Sequence, residues 1–266
     1  SRFSGRHYPM GWAEDSLPWA YSAPVTAEMV DHNAVYLNIK PGERLGDAVK
    51  VTQDQAPVPL KIDAKVTTVS EEAASAHCNL WVHSDWDNSL HLRGCWPISG
   101  EKERLHVAVM HPELWVEKMV KQAFAKQGIA IKGKVRQGVL PKKTLTKLVT
   151  HQSKAMPYLI KILLKYSDNL TAESLLKTLG YRYYQEGSFA QGIRAREDLL
   201  ATWAGLDFSR TELFDGSGGS RYNMVTPHQL ATLMVVLKHD KQMQIVLDGL
   251  PISGKDGTLA NRMQVF

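Results

Sequence analysis

No run in the 266-residue sequence approaches 18 apolar residues, so no helical membrane span is expected. There is no Cys-x-x-Cys and no His-Glu-x-x-His, so the ten histidines form no metal signature and no metal or other cofactor is expected. A glycine-rich phosphate loop and a Gly-x-Ser-x-Gly elbow are also absent. The net charge is +5, but Lys and Arg are dispersed rather than clustered. That pattern gives mild attraction to anionic surfaces and does not call for a nucleic-acid partner. Repeats and low-complexity stretches are missing too. The opening "SRFSGRHYPMGW" has neither an initiator Met nor a charged-then-apolar leader. A mature secreted protein or a piece of one fits that start, and the final "LANRMQVF" reads as a cut through a structured region.

What is present is ordinary for a globular protein, 44% apolar and 22% charged, with length enough for two domains. Cys78 and Cys95 bracket "HCNLWVHSDWDNSLHLRGC", which reads as a β-hairpin with Asp85–Asn88 as its loop. In that register Cys78 faces Cys95, Leu80 faces Arg93 and Val82 faces His91. Facing cysteines on paired strands are near enough to bridge, which would stabilise by roughly 3 kcal/mol and imply an oxidising compartment. The alternative is a pair of buried thiols. His83 and His91 flank the loop and read as exposed strand residues.

Residues from about 25 to 110 are strand-like: "AVYLNIKP", "VPLKIDAKVTTV" and "RLHVAVM" concentrate β-formers between Gly, Pro, Asp and Asn. "HPELWVEKMVKQAFAKQG" predicts one amphipathic helix, with Leu114, Met119, Val120 and Phe124 near one face and Gly128 as its stop. "IAIKGKVRQG" suggests another strand. After about residue 148 four helices are expected: "MPYLIKILLKY", "NLTAESLLKTLGYRYY", "FAQGIRAREDLLATWAG" ended by Gly205, and "TPHQLATLMVVLKHD" with Thr226 as cap and Pro227 at its first position. A β-rich region, 1–147, therefore adjoins a helical region, 148–266, in an α+β arrangement.

Ser167-Asp168-Asn169 falls between the first two of these helices. Residue types alone allow a plain helix junction, since Ser, Asp and Asn cap helices well. They also allow part of an active site. The wider context is "LLKYSDNLTAESLL", then "DGSGGSRYNMVTPHQLATLM", then "LPISGKDGTL" at 250–259. In order and spacing these motifs resemble the low-molecular-mass class C penicillin-binding proteins, the D-alanyl-D-alanine carboxypeptidase/endopeptidase family. The opening "GWAEDSLPWAYSAPVTA" and the paired cysteines are similar to that family's inserted region, so the resemblance covers nearly the whole chain.

The resemblance implies a serine β-lactamase/DD-peptidase-like catalytic domain, here its helical portion, interrupted by a β-rich inserted domain. Its chemistry uses a serine nucleophile in Ser-x-x-Lys, a Ser-Asp-Asn and a Lys-Thr-Gly, and proceeds through an acyl-enzyme. Carried onto this chain, Ser167 would help pass a proton to the departing D-Ala nitrogen. Asn169 would bond the substrate amide and hold the nucleophile's lysine, and Asp168 would fix the loop. Arg221 would meet a carboxylate such as that of diaminopimelate, or else serve an ordinary ion pair. Ser217 is either a substrate contact or part of a glycine-rich turn. Trp12 and Tyr21 would line the outer pocket or pack the domain border. The implied partners are peptidoglycan peptide stems ending in D-Ala-D-Ala, and β-lactam antibiotics; the implied location is the periplasm.

The family's Ser-x-x-Lys lies upstream of the inserted region and its Lys-Thr-Gly downstream of "DGTL", and neither has a match here. Three look-alikes do not fit. "SGEK" (Ser99–Lys102) follows the hairpin in a polar loop, "SLLK" (Ser174–Lys177) lies inside a helix, and Lys255-Asp256-Gly257 sits in the "GxDGTL" turn. The chain is thus expected to be a catalytically incomplete part of its enzyme. A non-catalytic peptidoglycan-binding or interaction module of the same fold, and an unrelated secreted α+β protein, are the competing readings.

Overall fold

The computed structural model describes residues 2–53, 60–101, 103–135, 138, 146 and 149–263. The protein is mixed α+β and divides into two compact units, Ala13–Gln137 and Ser1–Trp12 with Gly138–Phe266.

Ala13–Gln137 holds two three-stranded sheets. Strands β1 (Ala34–Lys40), β2 (Lys50–Gln53) and β6 (Glu103–Ala108) form one, with β1 central and antiparallel to both neighbours. Strands β3 (Lys61–Val69), β4 (Trp81–Ser84) and β5 (Ser89–Pro97) form the other, with β5 central, parallel to β3 and antiparallel to β4. Helix α1 (Glu71–His77), capped by the Ser70 side chain, carries the chain from β3 towards β4. Val35, Leu37, Ile39, Leu90, Leu92 and Val107 form a core shared by both sheets. Helix α2 (Pro112–Ala125) closes it with Trp115 and Met119. Its Leu114 and Phe124, expected on the buried face, are exposed. Trp115 offers the larger apolar area and takes the core instead.

The hairpin register differs from expectation by one residue. Asn88 adopts a left-handed conformation, φ 64°, so Trp86–Asn88 form a three-residue loop closed by Asp85 N donating to Ser89 O at 2.8 Å. The pairs are therefore Trp81 with Arg93, Val82 with Leu92 and His83 with His91. This slip matters because it sends Val82, Leu90 and Leu92 together into the core. Asn88 suits the position twice over. It tolerates φ > 0, and its buried amide exchanges hydrogen bonds with the His111 backbone, at 2.7 and 3.2 Å. His83 and His91 are not bare strand histidines: both bond Asp85, and His91 also bonds Asp63. Those carboxylates, Asp85 foremost, hold the His91 pKa above its usual value.

Cys78 and Cys95 are joined, with Cα atoms 5.4 Å apart, although Cys78 ends α1 rather than standing on a strand. The bridge spans a sequence separation of 17, and its reduction is expected to cost roughly 3 kcal/mol. Calorimetry with and without reductant checks this; an unmoved unfolding midpoint would mean the sheets stand without the bond. "IAIKGKVRQG" forms no strand over 129–135, where no partner strand meets it among the described residues; residues 136 and 137 lie outside them.

The other unit is helical. Helices α3 (Met156–Tyr166), α4 (Asn169–Tyr184), α5 (Phe189–Ala204) and α6 (Pro227–His239) match the sequence expectation, and a short α7 (Gln244–Gly249) follows. Cap chemistry sets the boundaries. Thr226 and Gln229 form a reciprocal capping box, Pro227 starts α6, and Gly205 ends α5 in the left-handed region. α4 and α5 pack closely because Gly180 faces Gly192, where an added Cβ would fall 2.6 Å from the Gly192 nitrogen. Among the described residues no helix is long and apolar enough to cross a membrane.

Candidate functional site

The α3–α4 junction is built from Ser167, Asp168 and Asn169. α3 ends when Ser167 turns left-handed, φ 56° and ψ 51°, with the backbone N–H of Asp168 reaching Leu163 O at 3.1 Å. Glycine usually takes this position, because a Cβ there costs on the order of 1 kcal/mol. Here a serine takes it, and that serine is exposed. Asp168 caps α4, its carboxylate accepting from Thr171 N at 3.0 Å and Thr171 Oγ1 at 2.9 Å. Asn169 opens α4, half-buried.

Two further motifs are fastened to these helices. The buried Lys165 ammonium, near the end of α3, donates to Leu250 O at 2.5 Å and to the two Asp256 oxygens at 2.7–2.8 Å. Gly257 follows at φ 59°, where a Cβ would meet the Lys165 carbonyl at 2.3 Å. The "LPISGKDGTL" turn is thus seated on α3 by one ion pair and one close backbone approach. Lys165→Met is expected to loosen this turn, read as faster proteolysis after residue 250; an unchanged cleavage rate would mean the ion pair is dispensable.

The "DGSGGSRYN" turn is organised by Asp215, which is 1% exposed. Its carboxylate accepts from Gly218 N (3.0 Å), Ser220 N (2.6 Å), Asn223 Nδ2 (2.7 Å) and Trp12 Nε1 (3.0 Å). Arg196, on α5, donates to its carbonyl at 2.6 Å. From α4 the buried Glu173 carboxylate accepts Gly216 N and Ser217 N at 2.8–3.0 Å. Trp12, Ser217 and Arg221 are therefore gathered at one turn, which rides on the helix that Asn169 opens. Arg221 has an exposed side chain, and its backbone N–H donates to Gly11 O at 3.0 Å. Tyr21 is 55% exposed and belongs to the other unit.

The D-Ala-D-Ala carboxypeptidase 3 (S13) family model matches residues 1–266. The chain belongs to this family. D-alanyl-D-alanine carboxypeptidase DacB of Haemophilus influenzae is 28% identical over 265 residues, 98% of this chain and 54% of its own length. The D-alanyl-D-alanine carboxypeptidase of an Actinomadura species is 27% identical, over 95% of this chain and 48% of its own. The crystal structure of penicillin binding protein 4 (dacB) from H. influenzae superposes with a TM-score of 0.85 at 30% identity, covering 98% of this chain and 57% of that one. A second crystal structure of that protein, complexed with a β-lactam, gives 0.75 at 29% identity, over 89% and 54%. The chain spans about half the length of the curated relatives it matches.

Within this S13 chain the look-alike motifs have structural duties. Ser174 Oγ donates to Leu170 O at 2.6 Å inside α4. Lys177 is 1% exposed, donates to Arg6 O at 2.9 Å and lies 4.6 Å from the Phe189 ring centre. Ser99 bonds Glu71, and Lys102 lies outside the described residues. Asp256 is held by Lys165. No group of three or more His, Cys, Asp or Glu among the described residues could hold a metal ion.

Glu173, Lys165 and Arg196 escaped the sequence reading. A helical Glu, Lys or Arg reads as solvated in sequence; burial against distant partners sets these three apart, and sequence does not show that. Burial pushes the Glu173 pKa from 4.5 up to about 7, against the pull of the Ser217 hydroxyl and then of the backbone N–H donors, and pushes Lys177 from 10.5 down to about 8. A raised acid stabilises the fold fully below its unfolded pKa and loses that contribution as pH climbs through the folded value. Stability is therefore expected to fall as pH rises from 4.5 to about 7, with Lys177 charged in both states throughout. Thermal melts across that window check it. Glu173→Gln should flatten the slope; an equal slope in the variant would assign it elsewhere.

Proposed function

We propose that this chain is the central part of a periplasmic serine-type D-alanyl-D-alanine carboxypeptidase/endopeptidase that acts on peptidoglycan and binds penicillin. Ala13–Gln137 corresponds to the β-rich insertion and the remainder to the helical portion of the catalytic domain. The observation that carries the reading is Ser167, held left-handed and exposed where glycine would be easier. A cap needs no hydroxyl there, and Asp168 already caps α4.

In this mechanism a serine outside the look-alikes attacks the penultimate D-Ala carbonyl, and the peptide bond breaks to leave an acyl-enzyme. The leaving D-Ala nitrogen receives its proton by way of Ser167. Asn169 bonds the substrate amide and steadies the lysine beside the nucleophile. Ser217 contacts the substrate backbone, and Arg221 attracts the free carboxylate of a diaminopimelate-bearing stem. Trp12 contributes apolar surface to the outer pocket. Water then hydrolyses the acyl-enzyme. Removal of a serine nucleophile costs on the order of 10⁶ in kcat, so the 266 residues by themselves are expected to be inert.

Incubation of the full-length gene product with a D-Ala-D-Ala-terminated pentapeptide tests the proposal. Released D-Ala, blocked by benzylpenicillin, is the expected result. Peptide binding without release would instead favour a non-catalytic peptidoglycan-binding module, and neither would remove both.

A further inference from the structure

We propose that Glu173 is a positioning residue, locking the Ser217 turn to the helix that starts at Asn169 so that the two are presented as one rigid body. The inference rests on the function proposed above and adds a residue to it.

Asn169 and Glu173 are four apart on α4, so their side chains leave the same face of the helix. Glu173 is completely buried. Both its oxygens lie within 3.0 Å of Gly216 N, and Oε1 also takes Ser217 N at 2.8 Å. The ordinary alternative is a buried i, i+4 pair with Lys177. Lys177 does feel the Glu173 charge, yet its Nζ donates to the Arg6 carbonyl and faces the Phe189 ring, while both Glu173 oxygens are engaged by backbone N–H groups of the turn. A carboxylate is well suited to two successive backbone N–H groups, which no single hydroxyl or carbonyl receives as symmetrically.

The turn also rests on α4 through Gly216. A Cβ there would come 3.0 Å from the Ala172 carbonyl and 3.2 Å from Leu176 Cβ, so the backbone lies flat against the helix. Asp215 builds the turn internally, Arg196 holds its carbonyl from α5, and Glu173 fixes it to α4. Without the Glu173 clamp the turn would keep its shape and lose its seat. Ser217 would then wander relative to Asn169.

The test uses the full-length gene product and two readouts. In Glu173→Gln one oxygen remains for Ser217 N while an NH₂ confronts Gly216 N. KM for the D-Ala-D-Ala peptide is expected to rise about three- to tenfold, as for one lost hydrogen bond, with a smaller change in kcat. Amide exchange at Gly216 and Ser217 should accelerate while exchange in the middle of α5 stays put. Unchanged KM and exchange would overturn the proposal. So would losses that merely follow the unfolded fraction. If Glu173→Gln does not fold, Gly216→Ala lifts the turn by a few tenths of an ångström and leaves the carboxylate in place; it should raise KM likewise, and an unaltered KM there would overturn the proposal. A parent that releases no D-Ala would refute the proposed function, and the exchange rates alone would then decide whether Glu173 seats the turn.

Discussion

Replacing Ser167 with glycine is expected to raise stability while cutting activity about 10²–10⁴-fold, the range for a lost proton-transfer group. The two effects have separate causes. At φ 56° the serine Cβ crowds the backbone, and glycine relieves that strain. The gain is offset in part by the greater freedom of glycine in the unfolded chain, leaving about 0.5–1 kcal/mol in favour of the variant. In the mechanism proposed above, the loss of activity follows from removing the hydroxyl through which the departing D-Ala nitrogen would receive its proton. Ser167→Ala separates the terms: it should lose the same activity with no gain in stability. Chemical denaturation and the benzylpenicillin acylation rate of the full-length gene product measure both quantities. If glycine leaves acylation intact, Ser167 is a helix cap and nothing more.

The second large effect is on folding. Asp215→Ala would leave Gly218 N, Ser220 N, Asn223 Nδ2 and Trp12 Nε1 without their shared acceptor. A buried donor deprived of its partner costs about 1–3 kcal/mol, and water entering the vacated space recovers some of it. A net loss on the order of 4 kcal/mol is expected, a large share of ordinary domain stability. Asp215→Asn should fall between, since its NH₂ opposes donors where the aspartate offered an oxygen. Urea denaturation followed by tryptophan fluorescence would register the change. A shift of the size seen for surface substitutions, about 0.5 kcal/mol, would mean that the glycines and Arg196 hold the turn without it.

Helix boundaries in the second half were legible because caps are local chemistry. Thr226-Pro227 with Gln229 announces a start, and Gly205 announces a stop, whatever packs around them. The hairpin register was not legible, since it turned on whether Asn88 would go left-handed, and its reason for doing so lies at His111, far along the sequence. The same limit explains α2. Leu114 and Trp115 are adjacent apolar residues, and only the shape of the sheet core chooses between them. "IAIKGKVRQG" has β-forming residues, but among the described residues no strand forms over 129–135, since propensity alone does not supply a pairing neighbour. Ser167–Asn169 was readable from residue types as either a junction or a site fragment. Its geometry is that of a junction, with one residue in a conformation a junction alone would assign to glycine. The surrounding motifs carried the family, whereas the charges that fasten those motifs, Lys165 and Glu173, look like surface residues in the sequence.

The most direct test of the central claim is to locate the benzylpenicilloyl group on the full-length gene product by peptide mapping. The account predicts a single labelled serine in a Ser-x-x-Lys outside these 266 residues, and weaker labelling when Ser167 or Asn169 is replaced by alanine. A label on Ser99, Ser167 or Ser174 would contradict it. So would full labelling of the Ser167→Ala and Asn169→Ala proteins at the parental rate.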